Sequence, residues 1–168
     1  MSGAVVWFTG LPSSGKSTLA GRVAEALRAK GHTAVCMLDG DAVRSVIAPR
    51  HGYDPVSRDH FYDTLSGLAA MLAAQGLTVL VPATANLRAF RERARERAPR
   101  FIEVYVEVPV GEVTERDAKG LYAAQRAGSV AHMPGADAGY EAPEHPDVVA
   151  RGGRDDEALS RVVTAVMA

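Results

Sequence analysis

The chain has a single cysteine, Cys36, among its 168 residues. One thiol excludes an internal disulfide and any zinc site built from several cysteines. Cys36 lies in an apolar run, which predicts a buried and unreactive thiol. The five histidines also lack the spacing of metal ligands. The sequence therefore predicts no zinc site.

An excess of charge of one sign is absent as well. The formal net charge is −1 at pH 7, which predicts no general affinity for nucleic acid or for an anionic membrane. Lysine is scarce, because arginine supplies sixteen of the nineteen basic residues. The three lysines are Lys16, Lys30 and Lys119, and the first and last of them lie in motifs described below.

Long hydrophobic runs are missing too. The apolar run at 4–8 is far too short to span a bilayer, and no basic segment precedes it. We therefore expect a cytoplasmic protein without a secretory signal. With 47% hydrophobic and 23% charged residues, the composition is that of an ordinary soluble protein. The length predicts a single domain over residues 1–168.

Short apolar runs alternate with amphipathic stretches along the chain. The apolar runs predict buried strands at 4–9, 33–38, 77–82 and 101–108. The last run alternates apolar and polar residues, so we expect that strand nearer the sheet edge. Helical periodicity covers 16–29, 41–47, 56–75, 86–98, 109–118 and 155–167. This order predicts an α/β fold of three layers, with a parallel sheet and helices on both faces.

Two segments stand out from that pattern. The helix at 86–98 is strongly charged, and Glu92 and Glu96 interleave with its arginines, which predicts salt bridges within the helix on a solvated face. The stretch 119–146 is rich in Gly, Ala and Pro, and it is long for a connection in one domain. We therefore predict a lid or binding loop at about 117–140.

The strongest motif is a phosphate-binding loop. Residues 10–17 fit G-x-x-x-x-G-K-S/T, between an apolar strand and an amphipathic helix. Backbone N–H groups of such a loop and of the following helix bind phosphate. Lys16 would reach the β- and γ-phosphates, and Ser17 would ligate Mg²⁺. The predicted nucleotide site comprises Gly10, Ser13, Ser14, Gly15, Lys16, Ser17 and Thr18.

An acidic turn, Asp39-Gly40-Asp41, follows the second predicted strand. Ligands of doubly wound sheets bind at the carboxyl ends of the strands, so this turn and the phosphate loop should face one crevice. Asp39 would hold Mg²⁺ together with Ser17, and either aspartate could take the proton of an acceptor hydroxyl. A structural alternative is a turn in which Asp41 caps the next helix. The third strand ends without an acid, which disfavours a GTPase switch or a motor ATPase.

Several longer blocks resemble one family. They are W-F-T-G-L-P-S-S-G-K-S-T at 7–18, L-D-G-D-A-V-R at 38–44, E-R-D-A-K-G-L-Y at 115–122 and Y-E-A-P-E at 140–144. Together they resemble the adenylyl-sulfate (APS) kinases, P-loop kinases that phosphorylate the 3′-hydroxyl of APS with MgATP. The resemblance implies a P-loop kinase fold, ATP and Mg²⁺ as donor and cofactor, and a homodimer.

The resemblance also implies roles for single residues. Arg44 would hold the phosphosulfate of APS, and Arg58 would be a second substrate arginine. Tyr53 stands where the family has a phenylalanine that stacks on the substrate adenine. Lys119 would be the lysine of the lid, and Arg116 would lie beside the base of ATP.

The chain departs from the family pattern on the acceptor side. Phe61 replaces an asparagine, and Asp63 and Thr64 stand at arginine positions. Ala85 replaces a serine, and Met133 replaces an aromatic residue of the lid. Such losses of polar partners usually indicate a changed substrate.

We therefore predict catalytic roles for Lys16, Asp39, Asp41 and Lys119. The predicted acceptor site comprises Asp41, Arg44, Tyr53, Arg58, Phe61, Thr84, Lys119, His132 and Met133. The 3′-hydroxyl of APS is the first choice of acceptor. A nucleoside, sugar or specialised metabolite is the alternative acceptor, and a non-catalytic ATP-binding relative is the alternative to an enzyme.

Overall fold

The computed structural model describes residues 3–117, 120–129, 131–134 and 138–168. Lys119 lies outside the described residues. The strands are β1 Ala4–Thr9, β2 Val35–Met37, β3 Thr78–Pro82, β4 Phe101–Val106 and β5 Val148–Ala150. The helices are α1 Lys16–Ala29, α2 Gly40–Val46, α3 Pro55–Ala74, α4 Arg88–Arg97, α5 Val110–Arg116, α6 Leu121–Arg126 and α7 Asp156–Met167.

The strands form one sheet in the order β2-β3-β1-β4-β5, and every described pairing is parallel. Successive side chains of a strand point to opposite faces. Val6 and Phe8 of β1 accordingly enter a core shared with α1 and α7, while Val5 and Trp7 enter a second core shared with α3 and α4. The predicted three-layer fold is thus confirmed. Among the described residues, no helix is both long enough and apolar enough to cross a membrane.

Strand β4 lies near one edge of the sheet, as its alternation predicted. It lies between β1 and the edge strand β5. Its polar position Glu103 is buried and ion-paired, which explains the alternation without exposure to solvent. Strand β5 and helix α6 were not predicted, because elements of three and six residues are too short to display a period.

Most of the salt bridges expected within α4 do not form. Its arginines pair mainly with side chains of other elements. Arg95 and Glu92 pair within the helix at 3.5 Å. Arg91 instead is 1% exposed, and its Nε donates to Glu103 Oε1 of β4 at 2.9 Å. The prediction was wrong for this arginine because a helix pattern does not indicate which face the neighbouring strand covers.

Two further arginines of α4 bind helix α3. Arg97 donates to Asp63 Oδ1 at 2.7 Å, and Arg93 donates to the same oxygen at 3.3 Å and to Asp59 Oδ1 at 2.7 Å. Asp63, which stands at a family arginine position, therefore joins α3 to α4. It does not belong to the residues that line the cavity described below.

The edge strand β2 carries Cys36, whose side chain is half-buried rather than fully buried. Removal of the thiol from water raises its pKa, which lowers the thiolate fraction near neutral pH.

Candidate active site

The carboxyl ends of β1, β2 and β3 open into one cavity of about 830 Å³. It brings together fifteen of the residues predicted from the sequence. They are Ser13, Gly15, Lys16, Ser17, Thr18, Asp39, Asp41, Arg44, Tyr53, Arg58, Phe61, Thr84, Arg116, His132 and Met133. Gly10 and Ser14 are not among the lining residues, and Lys119 is outside the described part of the chain.

The phosphate loop between β1 and α1 requires glycine at its turn into the helix. Gly15 has a φ of 100°, which L side chains rarely adopt, and a Cβ there would lie 2.5 Å from the backbone nitrogen of Gly153. Gly153 is equally confined, because its Cβ would lie 2.8 Å from both Gly15 O and Thr18 Cβ. The loop is therefore packed directly against the chain that follows β5.

The polar groups of this loop fit a polyphosphate. Lys16 Nζ donates to the carbonyls of Gly10 at 3.0 Å and Leu11 at 2.8 Å, so the ammonium lies across the loop. The hydroxyls of Ser13 and Ser14 are buried, and neither has a hydrogen-bond partner among the described residues. Buried polar groups normally have partners. A phosphate oxygen would supply one to Ser13, which lines the cavity next to the N-terminus of the 14-residue helix α1.

The two aspartates of the acidic turn have different environments. Asp39 Oδ2 accepts from Ser17 Oγ at 2.6 Å, and Asp39 Oδ1 accepts from the N–H groups of Asp41 and Ala42 at 2.9 and 3.3 Å. Asp39 is thus the N-cap of α2. The alternative in which Asp41 caps this helix is wrong, because Asp41 already lies in its first turn.

The pair Ser17 and Asp39 fits Mg²⁺, which prefers hydroxyl and carboxylate oxygens. The part of the chain that is described holds no cluster of three or more His, Cys, Asp or Glu side chains suited to a metal. An ion at this pair would complete its shell with phosphate oxygens and water, as Mg²⁺ usually does.

The opposite wall of the cavity is cationic and aromatic. The guanidinium of Arg44 lies 3.9 Å from the ring centre of Phe61 and 4.5 Å from that of Tyr53. Its NH1 donates to the carbonyls of Gly52 at 2.9 Å and His51 at 3.2 Å. Phe61 is buried, whereas Tyr53 is 46% exposed. Two π faces and two carbonyls therefore fix the arginine at the cavity wall.

Arg58 connects this wall to the segment 117–140, which we name the lid segment. The guanidinium is buried, and its NH2 donates to the carbonyl of His132 at 2.6 Å. His132 has a φ of 58°, and the next residue, Met133, is buried in the core shared with α1. Arg58, His132 and Met133 thus meet at one side of the cavity.

Thr84 lies in the loop after β3, which is held by side chains from β1. Thr9 Oγ1 donates to the Thr84 carbonyl at 2.6 Å, and Trp7 Nε1 donates to the Ala83 carbonyl at 3.1 Å. Ala85 has a φ of 42°, and its N–H donates to Tyr62 Oη at 2.8 Å. Ala85 is buried behind the wall, so the serine that it replaces would not be a lining residue here.

One rim of the cavity was missed by the sequence analysis. Its residues follow β5 directly and are Arg151, Gly152, Gly153, Arg154 and Asp155. Arg116 of α5 faces this rim, since its guanidinium nitrogens lie 4.0 Å from the Cβ position of Gly152. The only indication of this rim in the sequence is the run R-G-G-R-D at 151–155. It could not be assigned to the site because the sequence does not show that β5 ends beside the phosphate loop.

Comparisons with known proteins agree with this geometry. Residues 2–151 match the family described as adenylylsulphate kinase. An adenylyl-sulfate kinase from Synechococcus sp. (strain JA-3-3Ab) is 40% identical over 165 residues, which cover 98% of this chain and 92% of that protein. The adenylyl-sulfate kinase of Deinococcus deserti is 43% identical over 153 residues, covering 91% of this chain and 84% of that protein.

Solved structures indicate the same family. The Mycobacterium tuberculosis APS kinase CysC, in complex with AMPPNP and APS, is similar with a TM-score of 0.90 and 36% identity, and the match covers 99% of both chains. A gluconokinase from Sinorhizobium meliloti, at 18% identity and a TM-score of 0.60, shares the fold alone. The resemblance found in the sequence motifs is therefore confirmed, and the chain belongs to the adenylylsulphate kinase family.

Proposed function

We propose that this protein is an ATP-dependent kinase that transfers the γ-phosphoryl group of ATP to the 3′-hydroxyl of adenylyl sulfate. One observation carries the proposal. A single cavity joins the phosphate loop to the acidic turn and to the cationic aromatic wall around Arg44. Donor, proton acceptor and acceptor site can therefore meet in one space, as in-line transfer requires.

The donor half consists of the phosphate loop and the start of α1. Backbone N–H groups would hold the phosphates, and Lys16 would exchange the carbonyls of Gly10 and Leu11 for β- and γ-phosphate oxygens. Ser17 and Asp39 would hold Mg²⁺, which neutralises charge on the transferred phosphoryl group. Arg116 would lie beside the base of ATP, at the rim formed by Gly152.

We assign to Asp41 the role of the base that takes the proton of the acceptor hydroxyl. Both oxygens of Asp39 accept hydrogen bonds from Ser17 and from the start of α2. Asp41 is exposed and lines the cavity. It would orient the hydroxyl and take its proton while the new O–P bond forms and the bond to ADP breaks.

The acceptor half would recognise an anion and a planar base. Arg44 is suited to the anionic group because its planar fork can donate to two oxygens at once. Tyr53 offers an exposed ring for stacking. Arg58, Thr84, His132 and Met133 would complete the walls, and Lys119 is proposed as a further cation from the lid segment.

A different small acceptor is the second candidate. Phe61 is 1% exposed and packs its ring against Arg44, so it offers no hydrogen bond where the family has an asparagine. A site that has exchanged an amide for a phenyl ring discriminates differently among polar acceptors.

The deciding experiment measures ADP release with APS and with a panel of nucleosides, sugars and amino-acid derivatives. We expect turnover with APS, and loss of about a hundredfold or more in the Lys16→Ala variant. Lys30→Ala is the matched control, because Lys30 ends α1 away from the cavity. Turnover confined to other acceptors would contradict the choice of APS. Failure to consume ATP with any acceptor would contradict the kinase itself.

We also propose that the protein acts in the cytoplasm as a homodimer. The family resemblance supports the dimer, and the single cysteine suits a reducing compartment. Sedimentation velocity should give twice the chain mass of 17.8 kDa. A species of the monomer mass at micromolar concentration would contradict the proposed dimer.

A further inference from the structure

Two tyrosine hydroxyls tie the lid segment to different parts of the site. Tyr122, in α6, donates from Oη to the carbonyl of Pro12 at 3.1 Å. Tyr140, at the other end of the segment, has its Oη 2.9 Å from Oγ1 of Thr9. Thr9 ends β1 immediately before the phosphate loop, and Pro12 lies within that loop. We call these two hydrogen bonds the first and the second anchor. They hold the chain on either side of Gly10.

The first anchor is rigidly placed. The side chain of Tyr122 is 3% exposed and belongs to the core shared with α1. Asp117 accepts the N–H groups of Tyr122 and Ala123 at 2.9 Å each, and so holds the start of α6, where Gly120 offers no side-chain cap. Burial raises the pKa of Tyr122 to about 12. Its hydroxyl is therefore a proton donor at every physiological pH.

This donor acts on the part of the loop that faces phosphate. Lys16 binds the carbonyls of Gly10 and Leu11, and Tyr122 binds the next carbonyl, that of Pro12. The peptide between Pro12 and Ser13 is trans, so its carbonyl and its N–H point in opposite directions. Fixing the Pro12 carbonyl consequently fixes the direction of the N–H of Ser13, a residue that lines the cavity.

The backbone of Ser13 needs such support. Its φ is 64°, in the left-handed region that a residue with a Cβ adopts only at a cost. An external hydrogen bond on the preceding carbonyl favours this conformation over its alternatives. Tyr122 is thus placed to keep the loop in a shape that is ready to bind phosphate.

The second anchor leads to the acceptor side instead. Thr9 Oγ1 donates its only proton to the Thr84 carbonyl at 2.6 Å, so Tyr140 must be the donor in its contact with Thr9. Burial raises the pKa of Tyr140, which keeps that proton in place. The two consecutive hydrogen bonds from Tyr140 to Thr9 and from Thr9 to Thr84 therefore end at a residue that lines the acceptor wall of the cavity.

We propose that Tyr122 is a positioning residue for the nucleotide half of the site and that Tyr140 is one for the acceptor half. The two ends of the lid segment then act on different substrates. The acceptor half of this inference rests on the proposed function. The nucleotide half requires only that the phosphate loop bind a nucleotide.

The test compares three variants of the full chain, Tyr122→Phe, Tyr140→Phe and Tyr105→Phe. The third is the matched control, because the Tyr105 ring stacks on Tyr140 while its hydroxyl has no hydrogen-bond partner among the described residues. Calorimetric binding of MgADP should weaken roughly three- to tenfold in Tyr122→Phe, the effect of one lost hydrogen bond. The other two variants should bind MgADP within about twofold of the unaltered protein.

Steady-state kinetics supply the second readout. Tyr122→Phe should raise the KM for ATP and leave the KM for APS unchanged. Tyr140→Phe should raise the KM for APS and leave the KM for ATP unchanged. A merely structural role would lower the melting temperature of the nucleotide-free protein without separating these constants. Should Tyr122→Phe fail to fold, Asp117→Asn loosens the start of α6 and should weaken MgADP binding about threefold or more.

Unchanged MgADP affinity in Tyr122→Phe, or in Asp117→Asn where that variant replaces it, would overturn the assignment. Equal losses of MgADP affinity in Tyr122→Phe and Tyr140→Phe would overturn it as well. A protein that ignores APS but keeps the predicted MgADP pattern would support the role of Tyr122, and it would refute the proposed acceptor instead.

Discussion

Asp39 and Asp41 stand two residues apart and meet different surroundings. Asp39 is bound by Ser17 and caps α2, whereas Asp41 is exposed in the first turn of that helix. The sequence alone left open which of them takes the acceptor proton. We propose Asp41, because a base must reach the acceptor and Asp41 is exposed at the cavity.

We expect Asp41→Asn to lower kcat by about a hundredfold or more, since an amide accepts no proton. Binding of MgADP should stay within about twofold of that of the unaltered protein, because Asp41 lies outside the phosphate loop. The comparison is Asp39→Asn, which keeps an N-cap oxygen but loses a charge beside Ser17. That variant should need a higher Mg²⁺ concentration for half-maximal rate, as measured in the ADP-release assay. Identical Mg²⁺ requirements in both variants would contradict the division of roles.

Arg44 illustrates what residue chemistry alone could not reveal. The family resemblance implied that it contacts an anion, but not that it stacks between Tyr53 and Phe61. These three residues come from different elements or loops, so no local pattern joins them. The apparent loss of a polar partner at Phe61 becomes, in the structure, a surface that fixes the guanidinium.

At the scale of elements, the arginines of α4 separate into two classes of ion pair. Arg91 is enclosed between α4, β4 and the carbonyls of Ala85 and Glu141. Arg93 and Arg97 instead reach Asp63 on a partly solvated surface. Water screens the second class, whereas breaking a buried pair leaves a charge without compensation.

Arg91→Met should therefore lower the free energy of unfolding by about 3 kcal/mol, because Glu103 keeps only its pair with Arg95 at 3.1 Å and the carbonyls of Ala85 and Glu141 lose their donor. Arg93→Met, the control on the same helix, should cost about 1 kcal/mol or less. Urea denaturation at pH 7 measures both. Equal costs for the two variants would contradict the distinction between buried and solvated pairs.

The contact between α3 and α4 also predicts a pH dependence. The hydrogen bond from Arg97 holds the pKa of Asp63 below its ordinary value of 3.8. A lowered folded-state pKa stabilises the fold above pH 3.8, and this contribution is lost as the pH falls through the folded pKa. Asp63→Asn should therefore be less stable than the unaltered protein at pH 6, and the difference should shrink below pH 4. Urea titrations across this range, with a difference that grows in acid, would contradict the prediction.

At the scale of the whole molecule, the cavity lies beyond the carboxyl ends of the strands, and its walls include residues of both cores, such as Met133 and Phe61. A nucleotide bound there contacts the phosphate loop and the chain after β5 together, which pack against each other at Gly15 and Gly153. Such a ligand should stabilise the entire fold, because binding to the native state alone shifts the unfolding equilibrium.

MgADP at a hundred times its dissociation constant should add about 2.7 kcal/mol of stability. For a chain of this size the melting temperature should rise by about 5–10 °C. Differential scanning fluorimetry measures the shift. Removing Mg²⁺ with EDTA, or introducing Lys16→Ala, should abolish most of it. An equal shift in Lys16→Ala would contradict binding at the phosphate loop.

Much of the fold followed from local signals. β1 and α1 have the predicted bounds, and the phosphate loop between them needed only a motif and its flanking periodicity. Buried parallel strands read as apolar runs whatever their neighbours are, so the α/β alternation was also predictable. The order of the strands was not, because hydrogen bonding between distant segments determines it.

The sequence by itself therefore determined the class of fold, the phosphate site and the family. The tertiary structure decided the position of β5, the rim at 151–155, the partner of each arginine in α4 and the split between Asp39 and Asp41. The physical reason is the range of the interactions involved. Propensity and motif act over a few neighbouring residues, whereas the contact between Gly153 and Gly15 joins residues far apart in the chain. Such contacts exist only after the sheet has brought its strand ends together.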